Sequence, residues 1–202
     1  MYWTVPRMWV DHTVIVMASG QSLTRHDADT VRHLPRIVTN GTYRIARDAD
    51  IIYGSDAMFW IHPDYADVWT CPGIKVSVEQ ITNIHPNTPE QVRVLRNRGA
   101  DGFTEEPGHI KTGGNSGYAA IHLAASAGAN RIILLGLDMT GTHWHGKHPV
   151  GLNNPRETFF VKAMRRFELL APALRQRGIE VLNCSPISQL ECFPKARLAD
   201  CI

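Results

Sequence analysis

The chain has 202 residues, and its 21 Lys plus Arg against 19 Asp plus Glu leave a net charge of +2. That balance excludes a protein that holds nucleic acid or membrane by bulk positive charge, and 44% hydrophobic against 20% charged residues excludes intrinsic disorder. A chain of this length can bury roughly 70% of its unfolded surface without disulfide or metal staples, so residues 1–202 read as one domain. No run of about 18 apolar residues is present, so no membrane span is expected. The opening MYWTVPRMWVDH has an Arg, a Pro and an Asp but no apolar core, so it does not read as a signal peptide, and a cytoplasmic location is expected. Cys71, Cys184, Cys192 and Cys201 show no CxxC spacing. They read as reduced thiols rather than a disulfide framework or a thiolate zinc site.

In chain order, Val14–Ala18 is a continuous apolar run, which suits a buried parallel strand running into the Ser19–Ser22 turn. A helix is expected over 24–34, stopped before Pro35. Strands follow at 36–39, ending at Asn40-Gly41, and at 50–54, closed by Gly54-Ser55-Asp56. Ser55 or Asp56 can cap a helix carrying Met58, Phe59 and Trp60. Residues 74–78 alternate apolar and polar as a strand does. Residues 80–114 are punctuated by proline and glycine and read as an irregular loop or flap, or as a substrate-side insertion. The run YAAIHLAASA within 116–127 favours helix, with Gly128 as its stop. A strand at 132–135, a long amphipathic helix over 155–177 that Pro172 should kink or divide, and a strand at 179–182 complete the chain.

Strands alternating with helices give an α/β fold, a single Rossmann-like domain with a mostly parallel sheet flanked by helices. Ligands of such sheets bind beyond the carboxyl ends of the strands. Three motifs lie there. Ser19-Gly20-Gln21-Ser22-Leu23 follows the first strand, where glycine lets the backbone approach a phosphate. It is not GxGxxG, and Asn40 stands where an acidic residue would hold a dinucleotide ribose. Thr112-Gly113-Gly114-Asn115-Ser116-Gly117-Tyr118 opens a helix, reading as an anion cradle or as a plain capped helix start, and lacks the GK[ST] of a P-loop. The third motif, 138–148, carries Asp138, His143, His145, His148 and Lys147. Its histidines read as a proton acceptor for a hydroxyl, as a metal set, or as ordinary loop residues. His122 reads as packed, His62 and His85 as loop residues, and His109 as able to reach the cleft. Arg165-Arg166 reads as a solvated helix face. Trp60, Tyr65 and Trp69 read as packing, and the aromatics near Trp60 and Trp69 would permit an oligomer.

In this order the motifs resemble those of the bacterial sialyltransferases of glycosyltransferase family 42 and the related motility-accessory-factor group, which includes phage-encoded members of unknown function. The resemblance rests on Ser19 to Leu23, Asn40, Thr112 to Tyr118, Gly136-Leu137-Asp138 and Asn183-Cys184-Ser185-Pro186. It spans about residues 13–190. Gln21 stands where that group has Pro. The resemblance implies a CMP-sugar as co-substrate, an unidentified acceptor, and no cofactor or metal. Ser19, Gly20, Ser22, Asn40, Asn115, Ser116, Gly117 and Asp138 would hold the nucleotide, and His143, His145 or His148 would be the catalytic base. A branch of the same broad group resembles a pterin pyrophosphokinase. That alternative implies ATP and Mg²⁺ held by Asp56 and Asp138. A third reading keeps the fold and the nucleotide without catalysis.

Overall fold

The computed structural model describes residues 2–79, 91–152, 154 and 156–202. The apolar runs form strands β1 (Thr13–Met17), β2 (Arg36–Thr39), β3 (Ile51–Tyr53), β4 (Ile74–Val78), β5 (Val92–Asn97), β6 (His109–Ile110), β7 (Arg131–Leu135) and β8 (Glu180–Asn183). The described strands make one all-parallel sheet of order β6-β5-β4-β3-β2-β1-β7-β8. This is the α/β Rossmann-like arrangement expected. From β1 the chain winds outward to β6, then returns to the opposite edge of β1 with β7. The loops after β1 and β7 therefore part at the centre of the sheet, and a crevice opens between them.

The helices are α1 (Arg25–Thr30), α2 (Ala57–Ile61), α3 (Ser116–Ser126) and α4 (Glu157–Arg175), with 3₁₀ turns at Asn40–Arg44, Pro63–Thr70 and Leu198–Asp200. Side-chain alternation along the strands builds a core on each face. Val14, Val16, Ile37, Ile51, Ile132 and Leu134 pack with α3 and with Phe167, Leu170 and Leu174 of α4. Ile15, Met17, Val38, Ile52, Ile133 and Leu135 pack with Ala28, Phe59, Trp60 and Tyr65.

Several expectations need correction. The first helix is only six residues long, because Thr24 and Asp27 form a capping box and Val31 already leaves helical geometry. The stretch 91–114 is not an irregular flap: β5 and β6 extend the sheet there. Residues 80–90, with His85, lie outside the described residues. Pro172 does not divide α4, which runs unbroken from Glu157 to Arg175. Trp60 and Tyr65 are buried, with Trp60 resting on Phe59 and the half-buried Trp69, so these rings pack as expected. No helix among the described residues is long and apolar enough to cross a membrane.

Candidate functional site

The turn after β1 is locked onto the loop after β7. The Gly20 amide donates to the carbonyl of Gly136 at 2.8 Å. A Cβ at position 20 would overlap that carbonyl and the Asp138 carboxylate, so only glycine lets the two loops close. Asp138 is 2% exposed, and its two oxygens accept from the amide (2.9 Å) and the hydroxyl of Ser22. Further on, the Trp144 amide donates to the Ser19 carbonyl at 3.0 Å, and His143 bridges Gly20 in antiparallel fashion. The histidine loop is thus stitched to the motif after β1.

A cavity of about 1390 Å³ opens over these strand ends. Ser19, Gly20, Asn40, Asn115, Ser116, Gly117, Asp138, His143 and His148 line it. The structure therefore brings together residues from three motifs, the first of which lies about ninety positions before the second. Ser22 lies behind the wall, holding Asp138. His145 also stands back from the lining: its Nε2 is 3.6 Å from where a Cβ on Gly41 would lie. Asn40 has a left-handed backbone, φ 48°. Its amide nitrogen donates to the Ser116 hydroxyl at 3.3 Å, while its buried Oδ1 has no partner.

The start of α3 departs from a free anion cradle. Asn115 caps the helix, its Oδ1 accepting from the amides of Gly117 (2.8 Å) and Tyr118 (3.1 Å). Those two donors are therefore occupied. Positive charge reaches the cavity from α4 and its approach instead, through Arg156, Lys162 and Arg166. Arg166 donates to the Gly113 carbonyl at 2.8 Å and lies 3.6 Å from Asp101, so it is not the solvated residue its sequence context suggested. Arg165 beside it is exposed.

The three loop histidines are half-buried and close together. Ring centroids are 5.1 Å apart for His143 and His145, 4.1 Å for His143 and His148, and 5.2 Å for His145 and His148. Burial pushes all three below the usual imidazole value, to about 4 for His145 and His148, so they are uncharged at neutral pH. The Tyr65 hydroxyl meets His148 Nδ1 at 3.2 Å. Tyr65 was legible as a packed ring, but nothing in the sequence pointed to its hydroxyl reaching the site. Lys162 and Arg166 were missed as cavity residues for the same reason: both come from a helix with its own structural reading.

Other expectations resolve elsewhere. His122 is packed, as read: it is fully buried in α3, stacked on Phe103 with centroids 4.1 Å apart. His109 lies on β6, bonded to the Pro107 carbonyl at 2.8 Å, and is not among the cavity's lining residues. His62 caps the second 3₁₀ turn. The Asn183-Cys184-Ser185-Pro186 segment does not line the cavity either. Ser185 accepts from the Leu137 amide at 2.9 Å and Ser188 donates to the Leu137 carbonyl at 2.7 Å, bracing the loop after β7 from behind. All four cysteines are free, although the sulfurs of Cys184 and Cys201 approach to 3.7 Å.

No protein-family model matches the chain, and no curated protein matches it by sequence. Among solved structures, the chain is similar to the sialyltransferase CstII from Campylobacter jejuni in complex with a substrate analogue, CMP-3FNeuAc. Their TM-score is 0.51 at 11% identity, over 91% of this chain and 85% of that one. A second structure of that enzyme, with cytidine-5'-monophosphate, gives a TM-score of 0.48 at 12% identity over 92% and 85%. The chain therefore shares the fold of that sialyltransferase.

Proposed function

We propose that the protein is a glycosyltransferase-like enzyme that takes a CMP-sugar donor in the cavity at the centre of the sheet, the loop histidines serving the acceptor hydroxyl. One observation carries this reading. The turn after β1, Asn40, the start of α3 and the histidine loop converge on a single cavity. The shared fold with a CMP-sugar-binding enzyme supports the choice of donor. The chemistry of the wall is suitable. The unpartnered Oδ1 of Asn40 can accept from a cytosine amine or a ribose hydroxyl. Lys162 and Arg166 can meet the phosphate as point charge and fork. An uncharged imidazole at His143 or His148 can take a proton as an acceptor oxygen attacks the sugar carbon and CMP leaves.

The pyrophosphokinase alternative gains nothing from the geometry. Both oxygens of Asp138 are held by Ser22, and Asp56 caps α2 through the Met58 amide at 2.9 Å. Both residues line the cavity, but with Asp138 held by Ser22 only Oδ2 of Asp56 is left without an assigned partner.

A melting screen against CMP, UDP, GDP, ATP and NAD, with and without Mg²⁺, tests the reading. CMP at 100 times its dissociation constant adds about 2.7 kcal/mol of stability, and the shift is expected without Mg²⁺. His143→Ala and His148→Ala should each lower turnover of a CMP-sugar by roughly 10²–10⁴-fold while CMP affinity stays nearly intact. A shift confined to ATP with Mg²⁺, or none with any cytidine nucleotide, defeats the proposal.

A further inference from the structure

We propose that His143, His145 and His148 together form a binding site for one divalent transition-metal ion of the zinc class, with an open coordination position directed at the cavity. The sequence H-x-H-x-x-H is bent by a tight turn, in which the Gly146 amide donates to the His143 carbonyl at 2.9 Å. This turn brings one ring nitrogen from each histidine within 4.8 Å of the others. A tetrahedral zinc with Zn–N near 2.0–2.1 Å holds its nitrogens about 3.4 Å apart, so closing the set moves each ring inward by no more than about 1 Å.

A second observation is independent of spacing. His143 Nδ1 and His145 Nε2 are buried and have no hydrogen-bond partner. Buried polar atoms without partners are rare and call for an explanation, and ligation of an ion supplies one. The third ring is oriented in the way metal-bound imidazoles are: His148 Nδ1 meets the Tyr65 hydroxyl at 3.2 Å, leaving Nε2 as the ligating atom. His148 is also fixed from its backbone, the amide donating to Asn154 Oδ1 at 2.8 Å. Arg44, the cation that acts on His145, is turned away onto Asp67 and the Asp64 carbonyl.

The donor set selects the ion. Three imidazoles suit zinc, cobalt, nickel or copper, whereas Mg²⁺ and Ca²⁺ want oxygen ligands. Three protein ligands leave a fourth position, the pattern of catalytic rather than structural zinc. His143 and His148 line the cavity, so that position opens where an acceptor hydroxyl would lie. Only this last point rests on the proposed function; ion binding by the three rings does not, and because a ring bound to the ion cannot also take a proton, the base role of His143 or His148 belongs to the ion-free chain.

The test is titration of the chelator-stripped full chain with Co²⁺ and Zn²⁺. The expected result is one equivalent bound, with the visible absorption of four- or five-coordinate cobalt on nitrogen ligands. His143→Ala, His145→Ala and His148→Ala should each weaken binding by more than the ~10–100-fold typical of losing an outer partner, and Tyr65→Phe by about 10-fold. On the unmodified chain, zinc should shift the imidazole nitrogen resonances of three of the ten histidines and leave the rest. This readout does not depend on any variant folding. No stoichiometric binding, unmoved histidine resonances, or binding retained in the histidine variants and lost in Cys184→Ser overturns the proposal. CMP melting shifts on the same stripped protein keep the two readings apart. Shifts without ion binding defeat only the metal site, and ion binding without shifts defeats only the CMP-sugar reading.

Discussion

At Asn40 the chain turns left-handed just past β2, and the same residue presents an unpaired oxygen to the cavity. Left-handed geometry costs an ordinary L-residue roughly 1–2 kcal/mol, and Asn pays less of it than most. Backbone cost and ligand contact are therefore separable at this position. Asn40→Gly is expected to leave stability unchanged or slightly raised, and Asn40→Ala to lower it by about 1 kcal/mol. Both should lose CMP affinity alike, since both lose the side-chain amide. Urea unfolding paired with CMP titration of the two variants checks this. If Asn40→Gly binds CMP as tightly as the parent, the residue is there for its backbone alone.

At the scale of elements, α3 links the cavity to the core through a titrating group. His122 Nε2 accepts from the Thr104 amide at 3.1 Å, and burial lowers its pKa to about 3. The unfolded chain binds that proton near pH 6.5 and the folded chain only near 3. Stability is thus unaffected above 6.5 and falls as pH drops through that window, by up to about 5 kcal/mol for this group. The loop histidines act in the same direction. His122→Gln keeps an acceptor for Thr104 without a proton to gain, so it should flatten the acid limb of a stability–pH curve. An unchanged limb would assign the acid loss elsewhere. The elements that were legible from sequence were those with strong periodicity. β2 and β4 match their expected bounds, and α3 and β7 match to a residue. β5 was not, because Arg93 and Arg96 interrupt its apolar pattern and its surroundings are rich in turn residues. β6 has two residues, too few for any period. The site divides in the same way. The strand-end motifs announced themselves by glycine and histidine, whereas Tyr65 and Arg166 belong to a packed ring cluster and a charged helix face. Only the tertiary fold turns their tips inward.

For the whole molecule, the central feature is that β1 pairs with β2 on one side and with β7 on the other, from Thr13↔Arg131 to Met17↔Leu135. β1 is made first and its second neighbour late. During synthesis at about 5–20 residues per second, a nascent chain spends several seconds with a central strand of the sheet showing an open, apolar edge. Such an edge invites pairing with other chains. A chain ending at residue 130 should therefore aggregate and show no CMP-induced melting shift, whereas one ending after β7 and its histidine loop should begin to associate less. Light scattering of the two truncations measures it. The arrangement that joins two distant loops into one cavity thereby makes completion of that cavity a late event in the life of the chain, and makes early emergence its hazardous stage.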